Sequence, residues 1–82
     1  MRGARNQQEI GKLLKHLRQQ QNLSQAELAR KSGLTQPSIS NIEHGAGGSL
    51  KHVEAILRAL NLELILEPVQ KIDTSKLADL ID

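Results

Sequence analysis

The 82-residue chain contains no cysteine and no Phe, Tyr or Trp, and it has only one Met and two prolines. Without cysteine there is neither a disulfide framework nor a thiolate metal site, which suits a reducing cytosol. Without aromatic side chains the core must be assembled from Leu, Ile, Val and Ala, a palette that favours closely packed helices. A chain of this length makes one domain and buries only about 60% of its unfolded surface, so extra burial by self-association is expected. No apolar run approaches the ~20 residues of a membrane span, and the polar stretch from Met1 to Gln8 is unlike a secretory signal. A cytoplasmic protein is expected.

Catalytic chemistry is equally thin. His16, His44 and His52 lack the spacing of zinc ligands, and there is no carboxylate pair and no nucleophile–base set. The Gly45-Ala46-Gly47-Gly48 segment lacks the lysine of a phosphate-binding loop. Neither an enzyme, a metal site nor a cofactor is expected.

What is present is an uneven charge distribution. Residues 1–60 hold nine Lys and Arg against Glu9, Glu27, Glu43 and Glu54, a net of +5. Residues 61–82 hold Lys71 and Lys76 against five acids, a net of −3. A basic body with an acidic tail points to a polyanionic partner, against the plainer reading of a solvated mixed surface.

Four helices are legible. Asn6 with Glu9 resembles a capping box, and Ile10, Leu13, Leu14 and Leu17 then mark one apolar face, fading near Gln21 and Asn22. Ser24 with Glu27 opens a second helix that Gly33 stops, with Leu28 and Ala29 facing inward. Thr35 caps a third, with Pro37 in its first turn, Ile39 and Ile42 buried and Gly45 at its end. Ser49 caps a fourth, whose stripe is Leu50, Val53, Ile56, Leu57 and Leu60. Then the period changes to two: Leu62, Leu64 and Leu66 alternate with Glu63, Ile65 and Glu67 before Pro68, reading as one strand whose leucines face the helical body. The expected organisation is a flexible arm at 1–6, a helix-turn-helix domain at 7–60, a dimerisation strand at 61–69 and a disordered tail at 70–82. Leu77, Leu80 and Ile81 would share one side of a helix if that tail folded on a partner.

The second and third helices, joined by Gly33-Leu34-Thr35, fit a helix-turn-helix: small Ala29 at the crossing, Gly33 in the turn, and Leu28, Leu34, Ile39 and Ile42 inside. The exposed side of the third helix offers Gln36, Ser38, Ser40 and Asn41, short uncharged donors and acceptors suited to base edges and phosphates. Gln36 is the first choice for a base contact, since Gln bonds adenine through N6 and N7. Thr35 and Pro37 sit beside it. Gln25, Lys31 and Lys51 are the expected phosphate contacts.

The run from Leu23 to Gly45, LSQAELARKSGLTQPSISNIEHG, resembles the lambdoid-repressor-like, or XRE-type, helix-turn-helix family, with the similarity extending over roughly Ile10 to Leu60. That resemblance implies a third helix lying in the DNA major groove, with Gln25, Gln36 and Ser38 at DNA-contacting positions. It also implies a structural pair between Arg18 and Glu43. Physics agrees, because a Glu facing phosphate would be repelled and should turn inward.

A helix-turn-helix followed at once by a strand is further similar to the HipB-like antitoxins. This implies strands paired across a homodimer, repression of the protein's own operon at a pseudo-palindromic operator, and binding of a HipA-like kinase toxin, which the acidic tail would help to contact. A lone strand leaves its N–H and C=O groups unpaired, and the same strand in a second copy is the available partner. Leu62, Leu64, Ile65 and Leu66 are then the dimerisation residues. The competing readings are a free-standing or phage-type repressor without a toxin, and an interaction module that no longer binds DNA.

Overall fold

Local capping chemistry sets the start of every helix. In the computed structural model, which describes residues 3–69, the Asn6 side chain accepts from the Glu9 N–H and opens α1, Gln7–Gln20. Ser24 opens α2, Gln25–Ser32, through a complete capping box: its hydroxyl accepts from the Glu27 N–H at 3.0 Å, and the Glu27 carboxylate accepts from the Ser24 N–H at 2.9 Å. That backbone bond is the main reason the Glu27 carboxyl sits below its ordinary range, helped by the Ser24 hydroxyl and, less, by Arg30. A carboxyl held low in the folded state stabilises above its unfolded pKa. The cap therefore strengthens the fold at neutral pH and is lost as acid protonates Glu27. Thr35 and Ser49 cap α3, Gln36–Glu43, and α4, Leu50–Ala59, through their hydroxyls alone, which accept from the Ser38 and His52 N–H groups.

Gly33 ends α2 at φ +76°, a left-handed conformation that an L side chain resists, and its N–H closes on the Ala29 carbonyl. The chain then turns directly into α3, which packs on both α1 and α2, while α2 also packs on α4. The core is Leu14, Leu28, Ala29, Ile39, Ile42, Ile56 and Leu60, with Leu23, Leu34, Val53, Leu57 and Leu62 packed around it. Leu28, Ile39, Ile56 and Leu60 are almost wholly enclosed. Each such side chain contributes roughly 1.5–3 kcal/mol of burial. The Gln21 amide donates to the Leu60 carbonyl at 2.8 Å and ties the end of α1 to the end of α4.

Four expectations are corrected. Leu50 is not on the inner stripe of α4: it lies in the first turn, beyond the reach of the core, and is 67% exposed. Ala55, which the expected stripe left out, is buried. The third helix ends at Glu43 with His44 as its cap, one residue earlier than Gly45. Residues 62–68 form no strand in the single chain, because no other described segment lies alongside to complete a ladder. Leu62 packs on the core, but Leu64 and Leu66 do not face the helical body, and with Ile65 they stand in solvent. The expected tail at 70–82 lies outside the described residues.

Gly11 was not singled out by sequence. It sits in the middle of α1, buried, where a Cβ would come within 2.7 Å of the Glu43 carbonyl oxygen and closer still to that of Ile42. The backbones of α1 and α3 meet there without a side chain between them. Gly11→Ala is expected to push these helices apart and cost about 1–3 kcal/mol, although alanine is the better helix former. Urea unfolding of the variant checks this; equal or greater stability would contradict the contact.

Candidate nucleic-acid interface

The orientation of α3 is set by what its last residue does. Glu43 is buried although charged, and it accepts two bonds from Arg18: Nε at 2.6 Å and Nη2 at 3.0 Å. Such a fork matches the two carboxylate oxygens. Arg18 uses its remaining nitrogen on the Leu23 carbonyl at 2.7 Å, just ahead of α2. The expected pair is present, and it reaches further than expected. The Gln25 amide also donates to Glu43, at 3.0 Å. One carboxylate thus gathers the last turn of α1, the first residue of α2 and the end of α3. Among the described residues no buried side-chain polar atom is left without a partner.

With Glu43 turned in, the opposite side of α3 is free of acid. At 100° per residue, Pro37, Asn41 and His44 lie at the centre of its exposed face, with Ser38 on one flank and Ser40 on the other. Gln36, Pro37 and Asn41 are exposed, and Ser38 and Ser40 half-buried. Thr35 is exposed, but its hydroxyl is committed: it accepts from the Ser38 N–H at 3.3 Å and donates to the Ser38 hydroxyl at 2.9 Å. Lys31 and Lys51 are exposed on α2 and α4. Gln25 is half-buried, with one amide hydrogen held by Glu43.

Two shallow clefts flank the exposed face. One, of about 320 Å³, is lined by Ser38, Asn41, Gly48, Ser49 and His52, and brings the start of α4 beside α3. The other, of about 250 Å³, is lined by Gln8, Lys12, Lys15, Glu43 and His44. Sequence patterning missed Gly48, Ser49 and His52 as neighbours of Asn41, since the glycine loop gives no periodic signal that would fix where it lies. Lys12 and Lys15 read only as positions off the apolar stripe. Among the described residues no three His, Asp or Glu side chains gather as a metal ion would require, and no helix is long and apolar enough to cross a membrane.

A family model described as helix-turn-helix matches residues 14–66, which spans Arg18, all of α2 and α3, and α4. The chain belongs to the helix-turn-helix family. It is of the XRE type. An uncharacterised HTH-type transcriptional regulator, y4dL, of Sinorhizobium fredii (strain NBRC 101917 / NGR234) is 43% identical over 60 residues, covering 72% of this chain and 31% of that protein. The chain therefore spans about a third of that relative. Among solved structures, a chain of the HipA-HipB-O2-O3 complex superposes with a TM-score of 0.77 at 30% identity, covering 85% of this chain and 100% of that one. A chain of the HipB-O4 20mer complex gives 0.78 at 30% identity, with the same coverage.

Truncating Glu43 alone strands Arg18 in the interior, so Glu43→Ala is expected to lose about 3–5 kcal/mol. Replacing both partners with apolar residues, Arg18→Met with Glu43→Leu, should recover most of that loss. Paired urea melts decide the matter, and additive losses in the double variant would show that the pair is not a coupled unit.

Proposed function

We propose that the protein is a sequence-specific repressor that binds duplex DNA with α3 in the major groove. The observation that supports this best is the composition of the exposed α3 face. Gln36, Pro37, Ser40 and Asn41 stand on a helix fixed at one end by the Thr35 cap and at the other by the buried Glu43. Short amides and hydroxyls on a rigid helix match the donors and acceptors on base edges. Lys31 and Lys51, and the free amide hydrogen of Gln25, are assigned to the phosphate backbone, where sequence is not read.

The second part of the reading is a homodimer joined through residues 61–69. Leu64, Ile65 and Leu66 are 60%, 64% and 85% exposed, three consecutive apolar side chains, and Val69 nearby is 73% exposed; clustered apolar exposure of this kind marks an interaction site. Beyond Leu62, whose N–H is spent on the Leu57 carbonyl, the backbone there makes no backbone–backbone hydrogen bond among the described residues, and the same segment of a second chain would satisfy its groups. Two recognition helices related by a twofold axis would read a pseudo-palindrome with half-sites about one helical turn, ~34–36 Å, apart. Likeness to a chain of the HipA-HipB-O2-O3 complex supports the third part: an antitoxin that represses its own operon and is bound by a HipA-like kinase toxin. Such a protein would work in the bacterial cytoplasm, at its operator.

Gln36→Ala is expected to cost about 1–3 kcal/mol of operator binding and to relax preference at one base position. Selection from random duplexes followed by competition measures both; unchanged affinity and preference would remove α3 from the groove.

Leu64→Lys tests the dimer. In the isolated chain Leu64 is mostly exposed, so the new charge should leave the helical domain folded; in a paired interface it would be buried at a cost of several kcal/mol. Sedimentation of the variant should show folded monomer where the natural chain is dimeric. A Leu64→Lys dimer stable at micromolar concentration contradicts the assignment.

A further inference from the structure

The cleft between α1 and the end of α3 has features that neither the base-reading face nor the dimer accounts for. Lys12 and Lys15, one turn apart on α1, line it together with the Gln8 amide. Its acidic lining residue, Glu43, is spent: one carboxylate oxygen accepts from Arg18, the other from Arg18 and Gln25, and its side chain is 1% exposed. Among the described residues neither lysine has a carboxylate within ion-pair distance. Two cations thus share a concave surface with no internal counter-charge. His44 closes one side, its Nδ1 donating to the Ser40 carbonyl at 2.7 Å, so the ring is a fixed wall.

Position argues for the occupant. An α-helix with side chains is about 10–12 Å across, close to the ~12 Å width of the major groove. A helix seated there turns its two flanks toward the two sugar–phosphate walls. The Ser38 flank of α3 adjoins the cleft beside α4, and the His44–Ser40 flank adjoins the lysine cleft. We infer that the Gln8–Lys12–Lys15 cleft is a phosphate-binding site for one strand of duplex DNA, a backbone contact additional to Gln25, Lys31 and Lys51. This rests on the reading of α3 as the groove-bound helix, and it adds affinity without sequence preference.

The test uses the full chain, the double variant Lys12→Gln/Lys15→Gln, and a charge-matched control, Arg30→Gln/Arg58→Gln, at two exposed cations outside every site described. Binding to a random-sequence duplex of about 30 base pairs is measured from about 50 to 200 mM salt. Each phosphate contact contributes about 0.9 to the slope of log affinity against log salt. The lysine variant should therefore lose about 1.8 from the slope per bound chain, making its affinity loss over that range about twelvefold smaller than that of the natural chain. The control should keep the natural slope.

An unchanged slope in the lysine variant, or an equal fall in the control, overturns the site while leaving the groove-bound α3 intact. A natural chain that shows no salt-dependent duplex binding overturns the underlying reading as well. Polyglutamate provides the remaining arm: loss of polyglutamate binding with an unchanged duplex slope would assign the cleft to an acidic protein and overturn the proposal.

Discussion

One buried carboxylate holds the architecture together. Glu43 is the meeting point of Arg18 from α1, Gln25 from α2 and, through Arg18, the Leu23 carbonyl ahead of α2. A core built, among the described residues, from a few Leu, Ile and Ala side chains and no aromatic has little area with which to fix angles between short helices. Apolar burial is non-directional, so it drives collapse without choosing one arrangement. A forked ion pair with each nitrogen and oxygen assigned does choose. Its net contribution to stability is small once desolvation is counted; what it adds here is geometry, by fixing which face of α3 turns inward.

That geometry also sorts the exposed residue types. The exposed face of α3 has amides, hydroxyls and a proline and no Lys or Arg, whereas the cations sit on the surrounding helices: Lys12 and Lys15 on α1, Lys31 on α2, Lys51 on α4. Discrimination between bases depends on directional hydrogen bonds, and attraction to phosphate on charge count. The helix-turn-helix thus presents a neutral α3 face inside a basic frame.

Much of this was legible in the sequence because it is local. Asn6, Ser24, Thr35 and Ser49 each cap the helix that follows within three residues, and Gly33 takes the left-handed turn its place requires. The Arg18–Glu43 pair, 25 residues apart, was legible only through family resemblance and the argument that a Glu cannot face phosphate. Gly11 was not legible. A glycine inside a helix reads as a weak helix former, and its purpose appears only when residues 42 and 43 arrive over it. Leu50 misled for a related reason: it obeys the 3.6-residue period, but α4 starts where the core has already ended. Residues 62–68 alternate as a strand should, yet pairing belongs to two segments, and the described residues of one chain supply no second.

The contact at Gly11 also shapes the field around α3. Aligned peptide groups leave about half a positive charge at the first turn of a helix and half a negative charge at the last. Here the negative pole, at the carbonyls of Ile42 and Glu43, is roofed by the α1 backbone with Lys12 and Lys15 close by, while the positive pole at Gln36 opens to solvent. To an approaching polyanion α3 is therefore electrically one-sided. A helix with no basic side chain still attracts through its exposed end, and hides the end that would repel.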